Sequence, residues 1–144
     1  MIEQFRGKYR FLCNFYQFKP FVYKGMTFTN SEAAYHSQKC LSRSKEFQTL
    51  NPSQSKRLGR RVPLRPDWNE VRLQVMYDVC YAKFTQDPNL KERLLATGDE
   101  YLQEGNFHND KFWGRIWDKS KGEWVGENNL GKILMKLRED LRNE

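Results

Sequence analysis

The stretch TNSEAAYHSQK, residues 29–39, predicts both the start of a helix and a cluster of polar groups on it. Thr29 and Glu32 match a capping box, in which each side chain would accept the backbone N–H of the other residue. If the helix begins there, the spacing i, i+3, i+4, i+7 places on one face Glu32, Tyr35, His36 and Lys39. The opposite flank is small or apolar and is expected to face the core: Ala33, Ala34, Ser37 and Leu41.

This polar face has two interpretations. Four polar groups on a helix are usually only solvated, and Glu32 would then serve as a cap and nothing more. Alternatively, the face belongs to an active site. A carboxylate in the first turn is favoured in its ionised form by the helix dipole, and it suits the stabilisation of a cation. The aromatic residues directly before the helix could supply a wall for a flat ring.

Length and composition predict one globular domain over residues 1–144. The chain has 10 Phe, 7 Tyr and 4 Trp, which are enough large side chains for a compact core despite a polar average. Three cysteines, Cys13, Cys40 and Cys80, show no metal-binding spacing and fit a reducing cytosol. The N-terminal stretch has no apolar run, so neither a signal peptide nor a membrane anchor is expected, and we predict a soluble cytoplasmic protein.

The net charge of +7 is concentrated in one part of the chain. Residues 39–72 contain nine Lys and Arg residues against three acidic ones. This concentration of positive charge favours a partner that carries phosphate, but it does not distinguish a nucleic acid from a nucleotide. Because solvated basic faces are common, charge alone is a weak indication.

The pattern of apolar residues and turn formers predicts an α+β fold, mainly helical with a small β-sheet. Residues 11–28, rich in aromatics and broken by Pro20 and Gly25, are typical of short strands joined by turns. Residues 101–114 are expected to form strand and loop. Helices are predicted from about residue 31, from Pro52 to near Gly59, from Trp68 to about Phe84 after an Asp67 cap, from Pro88 to Ala96, and from near Asn128.

Two of these helices carry apolar stripes that should face the core. The first stripe consists of Val71, Val75, Met76, Val79 and Ala82. The second consists of Leu130, Ile133, Leu134, Leu137 and Leu141, opposite a polar face of Lys136, Arg138 and Glu139.

Motifs of the common enzyme classes are absent from the sequence. There is no P-loop, GxGxxG, GxSxG or HExxH pattern. His36 and Cys40 lie one turn apart, but two ligands do not make a metal site. We therefore expect neither a metal nor a cofactor.

Eight short motifs resemble, in order, those of the NADAR (YbiA-like) family: FLCNFY, NSEAAYHSQK, LGRRVPLRPDW, AKFTQ, LLATGD, EGN, DKFWG and NNLGKILMKLRE. The resemblance runs from about residue 11 to residue 142. It implies the α+β fold of that family and cleavage of N-glycosidic bonds. Some members remove ADP-ribose from the amino group of guanine, and others act on ribosylated early intermediates of riboflavin synthesis.

Carried over by position, the resemblance implies a set of site residues. The catalytic candidates, in order of rank, are Glu32, Lys39 and Asp110. The substrate-binding candidates from the resemblance are Asn14, Phe15, Arg60, Trp113, Gly114 and Asn128. Tyr35 is a further substrate-binding candidate, taken from the polar face of the helix. The chain departs from the family pattern at Cys13, where serine is common, at His36, where glutamine is frequent, and over residues 115–124. The departure over residues 115–124 affects the prediction of which substrate binds, because a loop beside the site would select it.

The substrates implied by the family share a ribose C1 bonded to an exocyclic amine, and two routes of cleavage are open. In the first, Glu32 stabilises an oxocarbenium ion or activates water while Asp110 assists the departing base. In the second, Lys39 attacks the opened sugar and forms an imine, which requires a lowered pKa of the lysine.

Substrate recognition is expected to combine stacking with charge. Phe15 and Trp113 would sandwich a base, although Trp113 is equally well explained by core packing. Arg60, with Arg57 and Arg61, would hold phosphate, which suits a guanidinium group.

The partners that follow are small or nucleic-acid substrates: ADP-ribosylated guanine in DNA, RNA or a nucleotide, or a phosphorylated ribosylamino-pyrimidine. No membrane partner is expected, and the family implies a genetic association with an ADP-ribosyltransferase toxin. The rival hypothesis is a non-catalytic module that binds ADP-ribose or nucleic acid through its basic segment, with Glu32 only a cap.

Overall fold

The computed structural model describes all 144 residues and has an α+β fold, so the predicted fold class is confirmed. The strands are β1 (Gln17–Tyr23), β2 (Met26–Asn30), β3 (Ile116–Asp118) and β4 (Glu123–Val125). The helices are α1 (Ser31–His36), α2 (Pro52–Gly59), α3 (Trp68–Gln86), α4 (Pro88–Leu95) and α5 (Asn129–Arg142). Two 3-10 helices cover Gly7–Leu12 and Leu41–Thr49.

Contacts within the chain divide it into two compact units. The central unit is Asn14–Leu90, and the terminal unit combines Met1–Cys13 with Lys91–Glu144. The boundary falls inside α4. The expectation of a single domain over residues 1–144 stays a prediction.

The central unit starts with a β-hairpin that leads directly into α1. β1 and β2 pair antiparallel, with Tyr23 opposite Met26. The two turn residues, Lys24 and Gly25, both have positive φ angles, as a two-residue hairpin turn matched to the strand twist requires. Since β2 ends at Asn30 and α1 begins at Ser31, the hairpin determines where the helix starts.

Helix α1 is shorter than predicted. It ends at His36, so Lys39 does not lie on its face, and Leu41 is exposed instead of facing the core. The Ser37 hydroxyl donates a hydrogen bond to the carbonyl of Ala34 at 2.6 Å, and the chain tightens into a turn there. Serine side chains that bond the backbone in this way compete with the helical hydrogen-bond pattern.

Helix α3 supplies much of the core of the central unit. Its predicted stripe is confirmed at Val75, Met76 and Val79, whereas Val71 and Ala82 are only half-buried. The buried face is wider than the stripe and also includes Trp68, Cys80, Lys83 and Phe84. α1 packs against both α2 and α3, which places the start of α1 at the centre of this unit.

In the terminal unit, α5 buries four of the five predicted core residues: Leu130, Leu134, Leu137 and Leu141. Residues 101–114 form isolated bridges and bends, not a named strand. The strands lie further along the chain, where β3 and β4 form a hairpin with Trp117 opposite Trp124. No helix of either unit has the length and apolar character needed to cross a lipid bilayer.

The placement of Arg138 on an exposed face was wrong. Its side chain is only 6% exposed. Its guanidinium donates hydrogen bonds of 2.9 Å to the Thr97 hydroxyl and to the carbonyl of Glu100. The apolar stripe of α5 could not indicate this burial, because it depends on a loop more than thirty residues earlier in the chain.

Arg138→Leu should therefore destabilise the protein. The substitution leaves the Glu100 carbonyl and the Thr97 hydroxyl without their donor, and we expect the free energy of unfolding to fall by about 1–3 kcal/mol. Lys136→Leu on the same helix is the control, because the Lys136 side chain is 70% exposed and its change should stay within about 0.5 kcal/mol. Urea unfolding of both variants measures the difference, and equal stabilities would contradict the assigned role.

Candidate active site

The start of α1 is held from two sides. Asn30 is the N-cap, and its Oδ1 accepts the backbone N–H of Ala33 at 2.8 Å. The carbonyl of Asn14 accepts the backbone N–H of Glu32 at 3.2 Å, and the Ser31 hydroxyl donates to the Asn14 side chain at 3.1 Å. Glu32 therefore has a fixed backbone position before any ligand binds.

The side chain of Glu32 is not part of a capping box, so that prediction was wrong. Asn30 and not Thr29 caps the helix, because Asn30 is the residue in the extended conformation next to the first helical turn. The Glu32 carboxylate instead accepts a hydrogen bond from His36, with 2.8 Å between Oε1 and Nε2. Glu32 is 9% exposed and His36 is 5% exposed.

His36 is held as a neutral imidazole. Burial lowers the pKa of His36 from its usual 6.5, and the positive charges of Lys39 and Lys56 act in the same direction. The hydrogen bond and the charge of Glu32 oppose this shift without reversing it. Since a carboxylate only accepts hydrogen bonds, the neutral ring carries its proton on Nε2.

Lys39 lies just beyond α1, half-buried, with its amine near the end of α2. Nζ donates a long hydrogen bond of 3.4 Å to the carbonyl of Gly59 and lies 5.9 Å from the centre of the Tyr35 ring. Burial lowers the pKa of Lys39, and the charge of Arg60 adds to this effect against the opposing charge of Glu32. The lowered pKa is the property that attack by a neutral amine requires.

An open cavity of about 300 Å³ lies in the same unit. It is lined by Phe15, Ser53, Lys56, Arg57 and Arg60. Lys56 Nζ lies 5.8 Å from the centre of the Phe15 ring, so a cation and an aromatic face adjoin in the cavity wall. The structure thus brings together two predicted residues, Phe15 and Arg60, and Arg57 beside them.

Sequence reasoning missed Ser53 and Lys56 and included Arg61, which does not line this cavity. The spacing of the lining residues in the sequence could have indicated that they share one face. The lining residues of α2 and its cap follow the spacing i, i+3, i+4, i+7 that defines one helical face: Ser53, Lys56, Arg57 and Arg60. Arg61 falls outside that spacing.

Two further substrate-binding candidates of the central unit, Asn14 and Tyr35, contact other side chains of that unit. Asn14 is buried and its amide nitrogen lies 3.4 Å from the sulfur of Met76. The Tyr35 ring is buried, with its centre 5.2 Å from that of Trp68. Their substrate-binding roles stay predictions.

The remaining candidates belong to the terminal unit. Asp110 Oδ1 accepts the backbone N–H groups of Phe112 and Trp113 at 3.0 and 2.9 Å. Gly114 has no room for a side chain, because an added Cβ would lie 2.0 Å from the carbonyl oxygen of Glu104. Asn128 is fully buried and bonds the backbone of Leu102 and Glu104. The Asp110 bonds hold the turn over residues 110–113. The catalytic or binding roles of Asp110, Trp113, Gly114 and Asn128 stay predictions.

The lowered pKa of His36 predicts a pH dependence of stability. Below about pH 6.5 the unfolded chain binds a proton at His36 that the folded chain does not bind, so acidification favours unfolding. Between pH 7.5 and 5.5 the wild type should lose more stability than His36→Gln, by up to about 1.4 kcal/mol per pH unit. Denaturant unfolding at both pH values measures this, and parallel losses in the two proteins would contradict it.

Comparison with known proteins identifies the family. Residues 3–142 match the NADAR domain. The N-glycosidase YbiA of Escherichia coli is 37% identical over 130 residues, which cover 87% of this chain and 78% of YbiA. The NMR structure of E. coli YbiA superimposes with a TM-score of 0.80 at 34% identity, covering 99% of this chain and 88% of YbiA.

A second relative is much longer than this chain. A riboflavin biosynthesis protein of Vibrio vulnificus is 37% identical over 137 residues, which are 92% of this chain but only 35% of the Vibrio protein. The likeness therefore concerns one part of that protein. The match over nearly the whole chain and the shared fold agree with the order of motifs in the sequence, and the chain belongs to the NADAR family of N-glycosidases.

Proposed function

We propose that the protein hydrolyses the bond between ribose C1 and an exocyclic amine of a base, with Glu32 as the principal catalytic residue. The observation that carries this proposal is the buried Glu32 carboxylate, fixed by its backbone and by His36 at the start of α1. The names of the relatives agree with it, since YbiA of E. coli is an N-glycosidase.

The chemistry of this bond explains the need for a carboxylate. When the C1–N bond breaks, positive charge develops on C1 and the ring oxygen, and the amine of the base takes up a proton. Water adds at C1 and gives up a proton in exchange, so the products are the free sugar and the base with its amino group restored. A carboxylate that is already in place stabilises the developing cation or accepts the proton of the water.

In the oxocarbenium route, Glu32 faces the reacting sugar and a second acid protonates the leaving base. Asp110, a site residue implied by the family resemblance, is the candidate for that acid. Its Oδ1 already accepts two backbone N–H groups, so its other oxygen is the one that could act on a base.

In the imine route, the sugar ring opens to an imine of the base and Lys39 Nζ attacks C1. The base leaves as its free amine, a lysine imine remains, and water then releases the sugar. The lowered pKa of Lys39 supports this route because it raises the fraction of neutral amine at neutral pH.

The cavity beside Phe15 supports a substrate that carries phosphate. Three cations line it, Lys56, Arg57 and Arg60, and guanidinium groups bind phosphate oxygens through paired hydrogen bonds. Phe15 offers a face on which a base can stack, a contact that contributes about 1–3 kcal/mol. Trp113 stays a predicted second stacking residue.

We propose two substrate classes that fit these features. The first is ADP-ribosylated guanine in DNA, RNA or a nucleotide, with a genetic link to an ADP-ribosyltransferase toxin. The second is a phosphorylated ribosylamino-pyrimidine, which agrees with the name of the Vibrio relative. A cytoplasmic location fits both classes. The cation cluster also favours a second candidate function, a module that binds ADP-ribose or nucleic acid without cleaving it.

Glu32→Gln should strongly reduce turnover while the protein stays folded. The amide has the shape of the carboxylate but neither stabilises a cation equally well nor accepts a proton, so we expect kcat to fall by about 10²–10⁴. The assay measures release of ADP-ribose from an ADP-ribosylated guanosine oligonucleotide and of the free amino-pyrimidine from a phosphorylated ribosylamino-pyrimidine.

The control is Glu70→Gln, which changes an exposed carboxylate of the same unit. Thermal melting checks the folding of both variants. Equal turnover in the two variants would contradict a catalytic role for Glu32. If the wild type binds both substrates and cleaves neither, the binding module is the better account.

Borohydride reduction during turnover should leave the sugar covalently attached to Lys39 if the imine route operates. The reductant converts the lysine imine into a stable amine, and peptide mass spectrometry locates it. Lys45→Arg, at an exposed position of the same unit, should retain the adduct, and Lys39→Arg should lose it. An enzyme that turns over without forming any adduct would contradict the imine route.

A further inference from the structure

We propose that His36 is a positioning residue for Glu32: its imidazole donates the Nε2 proton to the carboxylate and holds that group in one orientation for the reaction. The inference rests on the proposed function, since it assigns a role toward the catalytic carboxylate. Neither the family motifs nor the polar face of the sequence assigns this role to His36.

The first observation is the geometry of the pair. Glu32 and His36 lie one turn apart on a helix of six residues, and both side chains are buried. The 2.8 Å bond joins Nε2 to Oε1. A hydrogen bond to a charged acceptor in a poorly hydrated place is strong, and it restricts the rotamers of both side chains. It uses one carboxylate oxygen and leaves Oε2 for the reacting sugar.

The second observation is the state of the other ring nitrogen. Nδ1 of His36 is buried and has no hydrogen-bond partner. A proton there would be a buried donor without an acceptor, which costs free energy. The ring is therefore held as the single tautomer that donates from Nε2, and the lowered pKa of His36 agrees with this state. Without a proton path through Nδ1, the ring positions the carboxylate and does not relay protons.

The third observation is the surface against which the ring packs. A Cβ added to Gly59 would lie 2.3 Å from Nδ1 and 2.8 Å from Cγ of His36, so only glycine leaves room for the imidazole. The carbonyl of the same glycine accepts the hydrogen bond of Lys39. The end of α2 thus contacts both the His36 ring, which holds Glu32, and the amine of Lys39, which is the candidate nucleophile.

The test compares two substitutions that place an amide at different points of the ring. The side-chain nitrogen of glutamine reaches about as far as Nε2, so His36→Gln can still donate to Glu32. Asparagine reaches only about as far as Nδ1, so His36→Asn leaves the carboxylate without this donor. We expect kcat of His36→Gln to stay within about threefold of the wild type and that of His36→Asn to fall by about tenfold or more at unchanged KM.

A second measurement needs neither a variant nor a substrate. The ¹⁵N chemical shifts of the His36 imidazole in the wild type at pH 7.5 should show a neutral ring protonated on Nε2. An imidazolium, or a proton on Nδ1, would overturn the proposal even if His36→Asn failed to fold. Equal kcat values for folded His36→Asn and His36→Gln would overturn it as well.

Failure of this proposal differs from failure of the proposed function. If Glu32→Gln is inactive while His36→Asn is as active as His36→Gln, only the positioning role is lost. If Glu32→Gln keeps full activity, the catalytic role of Glu32 fails and the positioning role fails with it. The assays use the two substrates named above.

Discussion

The candidate site depends on one hydrogen bond, that between Glu32 and His36 at the start of a six-residue helix. A buried carboxylate is unfavourable unless it is paired, and an unpaired one would rotate toward solvent or take up a proton. The neutral imidazole satisfies one oxygen without neutralising the charge. The carboxylate therefore keeps its position, which is a property needed to stabilise a sugar cation.

The rest of the central unit serves to hold that pair. The β1–β2 hairpin ends at Asn30, which caps α1, while Asn14 accepts the N–H of Glu32. On the other side, α2 ends at Gly59, which leaves space for the imidazole. The Gly59 carbonyl accepts a hydrogen bond from the amine of Lys39. The exposed face of α2 adds the cations of the cavity. One short helix thus links a hairpin, a core and a basic surface.

The parts of this structure that could be predicted from the sequence are those with local causes. Pro52 and Gly59 bound α2 as expected, and the leucines of α5 are buried because their spacing leaves no other face for them. The end of α1 could not be predicted, since residues 37–41 contain neither glycine nor proline to mark it. β3 and β4 have three residues each, too few for an alternating pattern to appear. Arg138 is buried by a distant loop. In the site, the spacing placed Glu32 and His36 together, but their shared burial comes from packing against α2 and α3.

Single-turnover kinetics with enzyme in excess tests the central claim most directly, because it separates substrate binding from bond cleavage. The substrate is an ADP-ribosylated guanosine oligonucleotide, replaced by the phosphorylated ribosylamino-pyrimidine if the wild type releases no ADP-ribose from the first. We predict that Glu32→Gln binds the substrate over the same range of enzyme concentrations as the wild type but cleaves it at least about 100-fold more slowly. Cleavage at the wild-type rate, or a loss explained by weaker binding alone, would contradict a catalytic role for the carboxylate.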